Sequence, residues 1–126
     1  MARNAARHPT ELELEILQHL WEAGPLSGRA IRDALQPQRE LTYQSVMTML
    51  GIMEEKGYVK RKKDGGSYLY RARVTEKATS KRMLHDLVQR LFKGSAAAAM
   101  LNLLETSDLS DEELAQLRES VDRRDS

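Results

Sequence analysis

The sequence predicts a mainly α-helical fold with one small β-hairpin. Apolar residues recur at helical intervals of three and four positions before residue 57 and again after residue 75. Between residues 58 and 72 the alternation instead has the period of two that is typical of strands, and a glycine pair interrupts it. A chain of 126 residues is long enough for one compact domain with a helical appendage.

The first helix is predicted over about residues 9–23. Thr10 and Glu13 have the spacing of a capping box, in which each side chain binds the backbone amide of the other residue. Gly24 and Pro25 end the helix, because this dipeptide favours a turn.

Two further helices follow after short connections. Ser27 can cap a second helix, which Pro37 breaks after about two turns. Thr42 can cap a third helix, in which the apolar residues from Val46 to Met53 lie on one face. Gly57 can then adopt the left-handed conformation that commonly follows a helix.

A β-hairpin is predicted directly after the third helix. The segments from Tyr58 to Lys63 and from Ser67 to Ala72 alternate with a period of two and contain tyrosine and valine, which favour strands. Between them, Asp64-Gly65-Gly66 is typical of a tight hairpin turn.

The remainder of the chain is predicted to be helical. A long helix begins at Thr75 or Thr79 and ends at Gly94. A further helix spans about residues 95–105, and a last helix begins at a second capping box, Ser110–Glu113.

Three short helices followed by a tight hairpin form the element order of a winged helix-turn-helix. In this architecture the third helix lies in the major groove of DNA and the hairpin lies beside it on the phosphate backbone. We therefore predict a winged-helix DNA-binding domain over residues 1–74 and a helical dimerisation domain over residues 75–126.

The third helix is the candidate for selecting the base sequence. With the face from Val46 to Met53 turned inward, the opposite face presents short and mostly neutral side chains. Glutamine can bind adenine edges, serine and threonine can reach base edges or phosphates, and methionine can contact a thymine methyl group. We predict that Gln44, Ser45 and Thr48 select the sequence. The other predicted contacts are Met47 with a thymine methyl and, at a phosphate, Thr42 and Tyr43.

The hairpin is strongly basic. Its first strand contains Lys60, Arg61, Lys62 and Lys63, and its second contains Arg71. Such a ribbon suits phosphate contacts, which supply affinity and salt dependence without sequence preference. The alternative is a solvated edge strand whose lysines prevent pairing with other sheets. Behind a helix-turn-helix, the phosphate interpretation is favoured.

The predicted long helix has an apolar stripe that a monomer of this size would bury poorly, so we expect a partner helix. The alternative is that the stripe packs back on the first helix. The competing function is a winged helix used for protein interaction, with this stripe as its main surface. The residues of the stripe are Met83, Leu84, Leu87, Val88, Leu91 and Phe92.

Charge is distributed unevenly along the chain. Residues 1–93 contain 17 Lys and Arg against 11 Asp and Glu, a net charge of +6, whereas residues 94–126 contain 3 against 8, a net charge of −5. This distribution suits a polyanion-binding module joined to a protein-binding module, although ordinary variation in surface charge would also produce it.

Composition argues against catalysis and cofactors. The chain has no cysteine, which excludes disulfides, thiolate metal sites and cysteine nucleophiles. His8, His19 and His85 lie in three different predicted elements without the spacing of metal ligands. The acidic residues alternate with basic ones, as on a solvated surface. We therefore predict neither an enzyme nor a metal or other cofactor.

No export or membrane signal is visible. Residues 1–9 contain two arginines but no apolar run, and no apolar run in the chain approaches the length of a membrane span. We predict a cytoplasmic protein that does not insert into a membrane.

Several segments together resemble the penicillinase repressor family, the BlaI/MecI/CopY group. The similarity extends over about residues 10–117, and the ordered set of segments is specific although no single one is diagnostic. The segments are Glu11–Leu17 with Leu20-Trp21, Leu41–Leu50, Glu55–Val59, Asp64–Tyr70 and Met100–Glu105.

The resemblance implies a winged-helix repressor that binds a palindromic DNA operator as a homodimer. It further implies that the C-terminal helices hold the dimer together, and that a membrane-bound sensor metalloprotease relieves repression in many members. Cleavage would then fall near Asn102 and Leu103. Besides the stripe from Met83 to Phe92, the expected dimerisation residues are Met100, Leu101, Leu104, Leu114, Leu117 and Val121.

Three features depart from the family pattern. Ile52 stands where members usually have an arginine before the closing turn of the third helix, and Gly66 stands where the wing turn often has an arginine. The copper-responsive members have paired cysteines near the C-terminus, whereas this chain has none. Copper sensing of that type is therefore not expected.

Overall fold

The computed structural model describes residues 8–125 as six α-helices and a three-stranded antiparallel sheet, which confirms the predicted fold class. The expectation that no export signal is present rests partly on residues 1–7, which lie outside this range. The elements are α1 (Glu11–Ala23), β1 (Leu26–Ser27), α2 (Gly28–Leu35), α3 (Tyr43–Glu55), β2 (Val59–Asp64), β3 (Ser67–Ala72), α4 (Glu76–Leu91), α5 (Ala96–Thr106) and α6 (Asp111–Asp125).

Side-chain caps begin the first three helices where the sequence predicted them. Thr10 and Glu13 form a complete capping box at α1, with the Thr10 amide donating to Glu13 Oε1 over 2.8 Å. The Ser27 and Thr42 hydroxyls accept hydrogen bonds from the amides of Ala30 and Ser45. Each cap satisfies an amide that a helix start otherwise leaves unpaired.

The end of α3 directs the chain into the hairpin. Gly57 adopts a φ of +83°, the left-handed conformation that glycine tolerates without strain. Its amide donates to Glu54 O, and the amide of Tyr58 donates to Met53 O over 2.9 Å. These two bonds form the Schellman pattern. Only three residues therefore separate the end of α3 from the start of β2.

The sheet has the order β1-β3-β2, so the second strand of the hairpin lies in the centre. Gly65 and Gly66 form the turn between β2 and β3, and Gly65 has a φ of +63°. The sequence did not predict β1, because two residues are too few for a strand alternation. Leu26 and Ser27 pair with Tyr70 and Leu69 of β3.

The core of the N-terminal unit lies between α1, α2, α3 and the inner face of the sheet. Trp21 lies at its edge, where its indole Nε1 donates to the carbonyl of Val74 over 2.9 Å and joins α1 to the chain after β3. The buried apolar residues are Ile16, Leu17, Leu20, Ile31, Leu35, Val46, Leu50, Met53, Tyr58, Val59 and Tyr70.

A buried ion pair joins the start of α1 to the end of α3. Glu13 is 1% exposed, and the Lys56 ammonium lies 2.9 Å from its Oε2 atom. Burial raises the pKa of Glu13, but hydrogen bonds from the Thr10 amide and Lys56 outweigh it, so the net pKa lies below the ordinary value of 4.5. The carboxylate that completes the capping box is thus also the partner of a lysine 43 residues away.

Side-chain caps also begin the three C-terminal helices. Thr75 rather than Thr79 caps α4, because its hydroxyl accepts from the Ala78 amide over 3.1 Å. The Ser95 hydroxyl accepts from the Ala98 amide at the start of α5. At α6, Ser110 and Glu113 exchange backbone hydrogen bonds as a second capping box.

The chain divides into two compact units, residues 1–84 and 85–126, and the division falls within α4. The predicted domains, residues 1–74 and 75–126, concern DNA binding and dimerisation, and their boundary remains a prediction. Within residues 8–125, no helix is both long enough and apolar enough to cross a membrane.

Candidate nucleic-acid interface

α2 and α3 pack closely enough to form a helix-turn-helix. A Cβ atom added at Gly28 would lie 2.6 Å from Met47 Sδ and 3.5 Å from Tyr43 Cε1. Gly28 is buried, so a side chain at this position would have to displace the Met47 thioether. The glycine therefore allows α2 to pack closely against α3.

Gln44, Ser45 and Thr48 lie together on the exposed face of α3. The Thr42 hydroxyl donates to Ser45 Oγ over 2.9 Å and accepts from the Ser45 amide over 3.0 Å. The two hydroxyl groups are thus already oriented at the start of the helix. The side chains of Gln44 and Thr48 are exposed and accessible to a ligand.

Met47 does not share this exposed face. Its side chain is half-buried, packs against the core and lies next to Gly28. Its predicted contact with a thymine methyl group remains a prediction, since the geometry assigns the side chain to helix packing first.

Tyr43 is 41% exposed, and the Arg29 guanidinium lies 5.8 Å from the centre of its ring. Arg29 was not predicted from the sequence. It stands in the first turn of α2, where the helix dipole disfavours a cation. A cation at the start of a helix is unfavourable unless it binds an anion, and this signal in the sequence could have identified Arg29 as a candidate for binding an anionic partner.

The pleat of the hairpin divides its basic residues between two faces. Lys60 is paired with Arg71 and Lys62 with Leu69, so these side chains share the outer face. Arg61 is paired with Tyr70 on the opposite face, together with Lys63 and Tyr68. The predicted basic ribbon is therefore two surfaces rather than one.

Arg61 is engaged with other side chains of the protein. Its Nε atom lies 3.6 Å from Glu54 Oε2 of α3, and its guanidinium lies 4.4 Å from the centre of the Tyr68 ring. Burial raises the pKa of the Tyr70 phenol beneath it, although Arg61 opposes part of this shift. The arginine thus lies between the third helix and the hairpin.

The predicted dimerisation residues fall into two groups by exposure. Met83, Val88, Phe92 and Leu114 are half-buried. The others are large apolar side chains with exposed fractions between 45 and 66%: Leu84, Leu87, Leu91, Met100, Leu101, Leu104, Leu117 and Val121. So many exposed large apolar side chains are unusual on a monomer and typical of a protein that binds a partner.

Asn102 and Leu103, the predicted cleavage position, are exposed residues of α5. The Asn102 carbonyl accepts a hydrogen bond from the Thr106 hydroxyl over 2.8 Å, within the helix. Among residues 8–125, no three His, Asp or Glu side chains gather in an arrangement that could hold a metal ion.

The closely packed α2 and α3, the exposed polar face of α3 and the adjoining hairpin define a winged helix-turn-helix protein of the transcription-regulator class. The sequence matches the penicillinase repressor family over residues 9–123. The chain belongs to this family and is a transcriptional repressor. Since the family consists of repressors, it also supports the prediction that the chain is not an enzyme.

Similar proteins agree with this membership. The methicillin resistance regulatory protein MecI of Mammaliicoccus sciuri is 26% identical over 112 residues, which cover 89% of this chain and 91% of that protein. MecI of Staphylococcus aureus strain N315 is 25% identical with the same coverage. The penicillinase repressor of Bacillus licheniformis is 24% identical over 108 residues, 86% of this chain and 84% of that protein.

Proposed function

We propose that the protein represses transcription by binding a palindromic DNA operator as a homodimer. The observation that supports this best is the exposed face of α3, where Gln44, Ser45 and Thr48 lie together on a helix that packs closely against α2. These side chains are of the right length and chemistry to bind base edges in the major groove.

Phosphate contacts would come from residues around this face. Thr42, Tyr43 and Arg29 lie at the starts of α3 and α2, and Lys60, Lys62, Lys63 and Arg71 lie on the hairpin. The positive charges of Arg29 and of the hairpin lysines and Arg71 would release counterions from DNA and make binding dependent on salt, whereas Thr42 and Tyr43 would contribute neutral hydrogen bonds. These contacts would orient the protein, whereas α3 would select the sequence.

The second copy would pack against the exposed apolar side chains of α4, α5 and α6. Full burial of an exposed leucine contributes about 1.5–3 kcal/mol. These side chains are already about half covered, so each would contribute less, and a stable dimer would need several of them. A dimer with twofold symmetry would bind two half-sites separated by about 10 base pairs or a multiple of that distance.

Relief of repression by a membrane-bound sensor protease belongs to the same proposal. Asn102 and Leu103 are accessible, but their peptide bond lies within α5. Cleavage there would require the helix to unfold locally and would then separate part of the dimerisation surface from the DNA-binding unit. We propose that the protein acts in the cytoplasm, where it could bind operator DNA and could also be reached by the membrane-bound sensor.

The test is a mobility shift with the DNA upstream of the protein's own gene. We expect a discrete complex that survives an excess of random DNA and weakens as salt is raised. Footprinting of that complex would then locate two half-sites. Binding that ignores sequence, by a protein that remains monomeric, would contradict the proposal and favour a winged helix that binds another protein through its apolar stripe.

A further inference from the structure

The inference concerns Arg61, which lies in the basic run of β2 but differs from the lysines beside it. Its guanidinium is 3.6 Å from a carboxylate oxygen of Glu54 and 4.4 Å from the centre of the Tyr68 ring. Lys60, Lys62 and Lys63 are exposed, and within residues 8–125 they form no comparable ion pair or ring contact.

These contacts join the two parts of the proposed interface. Glu54 lies in the last turn of α3. Tyr68 lies on β3, where one residue separates it from the hairpin turn. Arg61 therefore forms a continuous side-chain connection from the third helix to a position near the tip of the hairpin. A planar guanidinium suits this role because it can stack on a ring and bind a carboxylate at once.

The same contacts make Arg61 a poor phosphate ligand. A phosphate at Arg61 would approach the Glu54 carboxylate, and the two negative charges would repel each other. The Arg61 and Glu54 side chains are 47% and 39% exposed, so their pairing contributes little to stability.

We infer that Arg61 is a positioning residue, which holds the hairpin at the angle that lets α3 and the hairpin contact DNA together. The inference rests on the proposed function, because it concerns how the same surface binds its operator. It assigns phosphate binding on the hairpin to Lys60, Lys62, Lys63 and Arg71 and removes Arg61 from that group.

Replacing Glu54 distinguishes a positioning role of Arg61 from phosphate binding, because the two roles predict opposite changes in operator affinity. If Arg61 positions the hairpin, Glu54→Ala lowers affinity for the operator about fivefold. If Arg61 binds a phosphate, the same change frees the arginine, removes a repulsive charge and raises affinity. Operator affinity equal to or above that of the unmodified protein would overturn the inference.

Asp33→Ala is the matched control. Asp33 is an exposed carboxylate 3.3 Å from Arg32 on α2, so this variant also removes one negative charge from an arginine pair. We expect its operator affinity to be unchanged or slightly raised. A decrease as large as that of Glu54→Ala would show that loss of a surface pair is sufficient and would overturn the inference.

The role of Arg61 itself is tested by the salt dependence of DNA binding. Arg61→Ala should weaken operator binding without changing the slope of log affinity against log salt, whereas Lys62→Ala should reduce that slope by about 0.9. The double variant with Glu54→Ala should bind no more weakly than Arg61→Ala alone. A reduced slope for Arg61→Ala would identify a phosphate contact and contradict the inference.

A measurement without DNA separates this inference from the proposed function. Hydrogen exchange of the full chain should show faster exchange of the hairpin amides in Glu54→Ala and Arg61→Ala, but not in Asp33→Ala. If no variant alters hairpin exchange, the positioning role is wrong. If exchange changes as expected but the unmodified protein does not select an operator, the proposed function fails and the connection between α3 and the hairpin stands.

Discussion

The two units of the chain use the same local signals to form helices but bury their apolar residues very differently. In the N-terminal unit, leucine, isoleucine and methionine side chains from three helices meet the inner face of the sheet and are buried. Within the C-terminal unit, Ala99 is the single buried apolar residue among those that the structure describes with side chains. The first unit buries its apolar residues within one chain, whereas the second leaves most of its apolar residues exposed, as is typical of an interaction surface.

The two capping boxes show the difference at the level of single residues. Both Glu13 and Glu113 accept a hydrogen bond from the backbone amide of the residue three positions earlier. Glu13 is also buried against Lys56, whereas Glu113 is exposed and its carboxylate is hydrogen-bonded to Ser110. A capping box therefore determines where a helix begins, and tertiary packing determines what its removal costs.

The largest expected effect follows from the unpartnered helices. Leu104→Asp would place a carboxylate where we expect the second copy to pack, in both protomers of a symmetric dimer. Loss of the apolar contacts and burial of the charge should raise the dissociation constant of the dimer about a thousandfold or more. Sedimentation across a range of concentrations would measure it.

Leu104→Met is the control at the same position, because it keeps an apolar side chain of similar volume. It should remain a dimer at concentrations where Leu104→Asp is monomeric. If Leu104→Asp is as dimeric as the unmodified protein, this face is not the contact between copies and the comparison of the units must be revised.

The next largest effect is expected at the buried ion pair of the N-terminal unit. Lys56→Met would leave the buried Glu13 carboxylate with its capping bonds alone and should lower the free energy of unfolding by about 3 kcal/mol. Chemical denaturation of the full chain would measure this loss. A loss below about 1 kcal/mol would indicate that the pair contributes no more than a surface salt bridge.

Arg39→Met is the comparison for this change. Arg39 lies 2.6 Å from Glu15, but both side chains are about one-third exposed. We expect this variant to lose much less stability than Lys56→Met, because solvent already stabilises both charges.

Local signals in the sequence were sufficient to predict most of the fold. The caps at Thr10, Ser27 and Thr42 are confirmed, as are Gly57 at the end of α3 and the hairpin turn at Gly65. Each depends on neighbours within a few residues along the chain, which a pattern of residue types can reveal.

Features that depend on tertiary contacts were not predictable in the same way. The pair between Glu13 and Lys56 joins residues far apart in sequence, and no local pattern indicates it. The basic run of β2 looked uniform, yet the pairing register directs Arg61 towards Glu54 and Lys62 away from it. Met47 likewise looked exposed, but the absence of a side chain at Gly28 leaves room for it against α2.

A smaller effect is expected from the proposed division of roles between the units. Gln44→Ala should lower affinity for the operator by about 1–3 kcal/mol and relax the base preference at one position of each half-site. Dimerisation should not change, because Gln44 lies on α3 in the N-terminal unit. Binding to a set of single-base operator variants would measure the preference.

Lys62→Ala is the contrasting variant, since its charge lies on the outer face of the hairpin. It should weaken binding to operator and random DNA together and leave base preference intact. If the two variants change operator and random binding by the same ratio, then α3 and the hairpin do not divide sequence selection from phosphate binding.

The smallest expected effect is a difference between the two capping boxes in how pH changes the stability of the protein. The pKa of Glu13 in the folded protein lies below its ordinary value of 4.5, so its contribution to stability is complete above that pH. It is lost as pH falls from about 4.5 through the lower pKa of the folded state, when protonation weakens the bond to Lys56. The pKa of Glu113 is also lowered, by hydrogen bonds from the Ser110 amide and hydroxyl, but this residue is exposed.

The loss of stability between about pH 6 and about pH 3 should therefore be smaller in Glu13→Gln than in the unmodified protein. In Glu113→Gln it should be nearly unchanged, because solvent replaces what that carboxylate contributes. Chemical denaturation at both pH values would measure the two differences. Equal acid losses in all three proteins would mean that burial against Lys56 adds nothing to the capping box, and that the two units differ in their apolar surfaces alone.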